Sequence, residues 1–307
     1  METRDFAKLE DACQLRFIET GKCYHVCSSE NHPVIFHNEA EFKNAMNIVA
    51  YSALLVPELK IFTFEIMSNH FHFAVSGDTS DINVFTRCLV AKLASIPCLK
   101  EYGNDIKSLD FKIFPVNSIE TLRNVIAYIN RNGAVVVPNE NVFTYRWGAN
   151  RYFFNREARL RFKESGRKAT CRDKRSMFHS CSLDNRDIVV LDGYVSPENY
   201  CHIDDSEAFF RNSRHYFHNV ARNIESSRDI ARTIGESLFY TDDDLYAHIR
   251  AVCTKQHGGK LPSMLPADEK INLARELHFD YKAGNKQISR LLKMDMQILS
   301  GLFPENR

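Results

Sequence analysis

Phe64-Glu-Ile-Met-Ser-Asn-His-Phe-His-Phe-Ala-Val75 decides how the N-terminal half of this 307-residue chain is read. Phe71, Phe73 and Val75 alternate with His70, His72 and Ala74, a period of two that sends one set to each face of a β-strand. Ser68-Asn69 supplies a tight turn back to an earlier strand over Lys60–Met67. Two imidazoles two residues apart on one strand face can hold a divalent cation between them.

Upstream lie an amphipathic helix over residues 5–20 and a strand over Cys23–Cys27. A further helix follows, with Asn38 as its N-cap and Pro57 beyond its end. Downstream, a helix over Asp81–Ile96 and a strand over Phe111–Val116 precede a helix capped by Ser118. That last helix carries the apolar stripe Ile119, Leu122, Val125, Ile126 and Ile129. The order β-α-β-β-α-β-α predicts an α+β domain: a ferredoxin-like βαββαβ antiparallel sheet with one extra helix.

On the extra helix Asn124, Tyr128 and Asn132 recur every four residues, and their row is expected to face away from the core. A cation held by two imidazoles and an amide oxygen keeps open positions and can polarise a phosphate. That would let a phenol, sluggish at its usual pKa near 10, attack phosphorus and form a phosphotyrosine intermediate.

Cys23-Tyr-His-Val26, Ile66-Met-Ser-Asn-His-Phe-His-Phe-Ala-Val75 and Ala127-Tyr-Ile-Asn-Arg-Asn132 resemble the signature blocks of the His-hydrophobic-His single-tyrosine transposases. The likeness is greatest to the REP-associated tyrosine transposases, and Phe143-Thr-Tyr-Arg-Trp147 resembles the aromatic tail that follows the tyrosine helix there. It covers residues 15–155. The resemblance implies metal ligation by His70, His72 and Asn132, with Mg2+ or Mn2+ as the cation. It also implies Tyr128 as the nucleophile and single-stranded or hairpin DNA as the partner. Two departures stand out. Ser68 replaces the family's proline, and Asn132-Gly-Ala-Val-Val136 replaces Asn-Pro-Val-Arg-Ala.

Basic residues crowd the next segment: Arg146, Arg151, Arg156, Arg159, Arg161, Lys163, Arg167 and Lys168, following Arg131 on the tyrosine helix. Interleaved with Tyr145, Trp147, Tyr152, Phe153 and Phe154, they have the composition of a surface for phosphates and unpaired bases. Beyond lie a small hairpin at Ile188–Val195, a helical region over residues 206–237 and a helix opened by Thr241-Asp-Asp-Asp244. Three short helices then follow, capped in part by Asn285 and Asp295, with the spacing of a helix-turn-helix. These features divide the chain into a catalytic domain (1–155), a basic linker and helical DNA-contacting region (156–260) and a helix-turn-helix-like domain (261–307).

Composition narrows the class. With 44% hydrophobic and 26% charged residues, a net charge of +1 and no apolar run of membrane length, the chain reads as soluble and cytoplasmic. Nine cysteines without a Cys-x-x-Cys pair argue against both a disulfide framework and a thiolate zinc site. The expected activity is metal-dependent DNA cleavage and strand transfer, by a monomer or a homodimer, without a small-molecule cofactor. Two other readings remain open: a domesticated DNA- or RNA-binding protein without turnover, and a nick-and-hold replication or conjugation initiator.

Overall fold

The alternating stretch forms a hairpin in the computed structural model, which describes residues 2–29, 32–136, 143–221, 242–279, 281 and 283–304. Helix α1 (Glu2–Thr20) leads into β1 (Cys23–Ser28), and α2 (Glu39–Leu54) precedes the hairpin strands β2 (Lys60–Ile66) and β3 (Phe71–Ser76). After α3 (Thr79–Leu93) and a short helix α4 (Gly103–Lys107), which the sequence pattern did not suggest, come β4 (Phe111–Val116) and α5 (Ile119–Val136). All strand pairs are antiparallel and the sheet order is β2-β3-β1-β4. The protein is a mixed α+β molecule with a four-stranded antiparallel sheet and a helical C-terminal region.

The sheet has two different faces. Val26, Phe64, Phe71 and Phe73 line one, all buried, and α3 with α2 beside it covers them. Phe85 of α3 meets Phe73 edge-on at 5.0 Å, and Phe36 meets Phe71 at 5.7 Å. Each such ring taken from water contributes about 1.5–3 kcal/mol. Asn38 caps α2 as expected, its side-chain oxygen accepting from the Ala40 and Glu41 amides. The opposite face is covered by α5, which starts at Ser118, whose hydroxyl accepts from the Thr121 amide at 3.1 Å. The apolar stripe of α5 is fully buried.

The outer edge of β2 is closed by later chain. Ile66 N–H donates to the Trp147 carbonyl at 2.8 Å, Ala149 N–H to Phe64 at 3.1 Å, and His202 N–H to Ile61 at 2.8 Å. An open edge would offer those groups to any passing strand. Gly148 sits where this segment comes closest: a Cβ there would lie 2.7 Å from the Phe64 carbonyl oxygen and 3.0 Å from Glu65 Cγ.

Helices α6 (Arg156–Ser165) and α7 (Cys171–Phe178) flank a second sheet, β5 (Arg167–Lys168), β6 (Val189–Leu191) and β7 (Tyr194–Val195). Asp192 and Gly193 both take positive φ, 56° and 87°, which the tight β6–β7 turn requires. In the helical region expected from 206, α8 (Ile203–Glu207) and α9 (Ser213–Val220) are observed; residues 222–241 lie outside the described residues. Met1–Ala134 and Glu140–Ala221 make up one unit, so residues 156–221 belong with the sheet; Val135–Asn139 and Arg222–Arg307 make up the other.

In the second unit α10 (Asp242–Gln256), α11 (Ala267–Phe279), α12 (Asn285–Leu292) and α13 (Met296–Leu302) close around Leu245, Ile249, Leu277, Ile288, Leu292 and Leu299. Asp295 caps α13 through the Gln297 amide at 2.6 Å, as expected. Asn285 does not cap α12. Gly284 holds that position, and the Asn285 amide instead donates to the Phe303 carbonyl at 2.9 Å, tying α12 to the end of α13. Among the described residues no single helix is long and apolar enough to cross a membrane.

Gly148→Ala is expected to lower unfolding free energy by about 1–3 kcal/mol, because backbone cannot yield as a side chain would. Gly301→Ala, where the new Cβ meets nothing within 4 Å, is expected to stabilise by about 0.5–1 kcal/mol in the same urea titration.

Candidate metal and nucleophile site

Register assembles the site. Cys27 on β1 stands opposite His72 on β3, which stands opposite Glu65 on β2; Lys112 on β4 completes that row beyond Cys27. The next row on the same face runs Thr63, Ala74, His25 and Phe114. The small side chain of Ala74 leaves room for the His25 and His72 rings to stack at 5.5 Å, nearly parallel, with His25 Nε2 3.3 Å from His72 Nδ1. His25, Cys27 and His72 bring one donor atom each within 4.8 Å of one another, a group that could hold a metal ion. The sequence argument against a thiolate site weighed only Cys-x-x-Cys pairs, whereas here two imidazoles meet Cys27 through the sheet.

His70 joins from the start of β3, its ring 4.8 Å from that of His72 and nearly perpendicular to it. The Asn69 side chain accepts from His70 Nδ1 at 2.7 Å while its own amide donates to the His32 carbonyl at 2.9 Å. With Asn69 oriented that way, Nδ1 of His70 carries the proton and Nε2 keeps its lone pair. Burial holds all three imidazoles neutral. It lowers His25 to about 3 and His70 to about 4, and pushes His72 well below its ordinary value of 6.5.

Tyr128 of α5 stands edge-on to both stacked imidazoles, 5.6 Å from His72 and 6.3 Å from His25 between ring centres. The sequence placed Tyr128 and Asn132 on an outward row, and there the structure differs. Tyr128 is 6% exposed and Asn132 4%, because α5 is covered on the polar side as well. Asn132 stands on α5 one turn beyond Tyr128.

Contact with the sheet one turn beyond Tyr128 is made by Gly133. Its amide donates to Glu65 Oε2 at 2.8 Å, and the Tyr145 ring packs on it so closely that a Cβ would lie 2.3 Å from that ring. Tyr145 in turn donates from its hydroxyl to the Ile66 carbonyl at 2.7 Å. Burial raises the Glu65 carboxyl well above its ordinary 4.5, only partly opposed by the Gly133 amide. Burial thus favours the protonated form of Glu65. Beside it, Thr63 donates to Asn130, whose amide donates to the Tyr216 hydroxyl at 2.8 Å; Tyr216 donates to Asn150, which donates back to the Asn130 carbonyl at 3.0 Å.

The basic segment is mostly answered within the chain. Arg146 pairs with Glu39 and covers Trp147, Arg151 and Arg161 share Asp192, and Arg159 reaches Glu198, Asp204 and Glu207. Arg167 pairs with Asp173 and Lys168 with Asp187. Arg156 and Lys163 are exposed without a carboxylate in ion-pair range among the described residues, and Arg131 is half-buried on α5. Sequence reasoning passed over His25, Cys27 and Glu65 as site groups. His25 and Cys27 show the same i, i+2 spacing on β1 as the histidines on β3, which was the available signal.

Comparison of the chain with protein-family models, with curated proteins and with solved structures gave no match in any of the three.

Gly133 and Glu65 are expected to be energetically coupled. Gly133→Pro removes the N–H, and leaving a buried acceptor unmet costs about 1–3 kcal/mol, which Glu65→Leu should relieve. A double-mutant cycle by chemical denaturation should give a coupling of about 1 kcal/mol or more; strict additivity would sink the idea.

Stability should also fall with acid. The folded pKa of each imidazole lies below 6.5, so below that pH the unfolded chain binds more protons. The loss is about 1.4 kcal/mol per pH unit for each histidine, continuing toward the folded values of about 3 and 4 for His25 and His70. Glu65, raised in the fold, has the opposite sign: its contribution is complete below 4.5 and is lost as pH rises through its folded value. Urea midpoints between pH 7 and 5 read this directly, and His70→Asn should flatten the slope by one proton.

Proposed function

We propose that the protein cleaves and rejoins single-stranded or hairpin DNA through Tyr128, by way of a covalent phosphotyrosine intermediate. The observation that carries the reading is the edge-on contact of Tyr128 with His72 and His25, beside His70. Three stretches far apart in sequence supply these groups, and the fold brings them to one place. The strand order β2-β3-β1-β4 with α5 across one face supports a ferredoxin-like plan for the domain.

The chemistry asked of the chain is modest. The phenol must lose its proton as its oxygen approaches phosphorus, and because burial makes the imidazoles on its ring weak bases, that proton would leave to water. His70 and His72 would hold a divalent cation, Mg2+ or Mn2+, whose remaining positions suit water and phosphate oxygens. When bound, it supplies Lewis-acid polarisation of the scissile phosphate. Lys112, exposed at the end of the Cys27 row, and Phe114, half-buried at the end of the His25 row, offer a charge and a ring for an arriving strand. Arg156 and Lys163 add phosphate contacts, and α12 and α13, joined through Lys293-Met294-Asp295, would serve as a helix-turn-helix reader.

A second reading, nucleic-acid binding without turnover, is favoured by one observation: Tyr128 is only 6% exposed, so a phosphate reaches it only if the cover of α5 shifts. Incubation of labelled hairpin DNA with the protein and Mn2+, followed by denaturing electrophoresis, separates the two. The expected result is a covalent protein–DNA band that disappears in Tyr128→Phe. Retarded DNA without such a band, across Mg2+, Mn2+ and several hairpins, would leave the binding reading alone.

A further inference from the structure

We infer that His25, Cys27 and His72 form a three-ligand site for a borderline-soft divalent cation, Zn2+ foremost. The inference shares His72 with the strand-transfer reading and rests on none of the chemistry of Tyr128. A tetrahedral ion with Zn–N bonds of about 2.0–2.1 Å sets its nitrogen ligands roughly 3.3–3.4 Å apart. His25 Nε2 and His72 Nδ1 are 3.3 Å apart, so the two rings already stand at the separation such an ion would impose. Cys27 comes from the same strand as His25, two residues on, and lies directly across the ladder from His72. Its sulfur and one nitrogen of each ring lie within 4.8 Å of one another, so a contraction of up to about 1.2 Å completes the triangle of donors.

The donor set selects the metal. Two imidazoles and a thiolate are soft ligands that suit Zn2+, whereas Mg2+ and Mn2+ favour oxygen, and none of the three supplies it. Loading displaces the Cys27 thiol proton to solvent, shifts the proton held between the rings to the outer nitrogen of the ring that donates it, and replaces that hydrogen bond by two metal–nitrogen bonds. Three protein ligands leave a fourth position, the arrangement of a zinc ion that binds water or substrate rather than one fully closed by protein. His70 lies outside the triangle, with Asn69 orienting its ring. It neighbours the ion without being one of the three.

The test uses the full chain. The metal-free protein is titrated with Co2+ as a spectroscopic stand-in, and the protein as isolated is assayed for bound zinc by mass spectrometry. The expected outcome is about one zinc per chain and a thiolate-to-cobalt charge-transfer band. The band should vanish in Cys27→Ser and His25→Ala, with unchanged far-ultraviolet circular dichroism, and persist in His70→Ala. Absence of the band in the unsubstituted protein, which needs no variant to fold, overturns the inference. So does an ion that depends on His70 and survives Cys27→Ser. A zinc-loaded chain that gives no covalent DNA band would sink the strand-transfer reading and leave this site standing. A covalent band without the thiolate signature would do the reverse.

Discussion

A sheet face that carries Thr63, Glu65, His25, Cys27 and His72 can be buried only if what covers it answers polar groups rather than methyls. That constraint shapes the first unit. Each of these side chains is 2% exposed or less, so an unmet donor or acceptor among them costs about as much as a lost hydrogen bond. Helix α5 meets the requirement with three kinds of group. Asn130 takes up Thr63, the main-chain N–H of Gly133 takes up Glu65, and the Tyr128 ring fills the space against the imidazoles. The other face has no such demand, which is why phenylalanines packed on α3 suffice there.

The same constraint gives a physical reason for the glycine at position 133. Proline carries no N–H, and Glu65 needs one; any residue larger than glycine would strike the Tyr145 ring. Glu65, Gly133 and Tyr145 therefore form one unit spread over three segments. Tyr145 extends it by donating to Ile66, next to Glu65 on β2. The aromatic tail thus acts as a clamp on the sheet edge, with Trp147 stacked on Phe42 at 5.0 Å.

Period-two alternation, caps and turn residues made most of the first unit legible: both hairpins, Asn38, Ser118 and the stripe of α5 all follow from local pattern. What local pattern cannot carry is register. Nothing within Cys23–Cys27 says that Cys27 will face His72, so a cluster split across β1 and β3 that could hold a metal ion stays hidden behind the more visible His70 and His72. The basic run could not disclose its own partners for a related reason. Its charges were counted along the chain, while the carboxylates that answer Arg159 and Arg161 lie at positions 192–207 and reach them only through the fold. A polar stripe opposite an apolar one usually meets water, whereas Tyr128 on that stripe meets the imidazoles of the sheet.

Burial also decides what the cluster can be used for. In a dry layer an isolated charge of either sign is expensive, so burial favours the neutral forms of the imidazoles and of the Glu65 carboxyl. Neutral imidazoles are ligands, and charged ones are not. The layer is not sealed on every side, however. Both rows end at β4, the sheet edge opposite β2, where Lys112 is exposed and Phe114 half-buried beside His25. The edge at β2 is closed by residues 147–149 and 201–202, and the flat faces are closed by helices. The polar layer therefore grades into solvent along β4, and of its two edges that is the one where a cation or a phosphate would meet the cluster with the least disturbance of the packing that holds it.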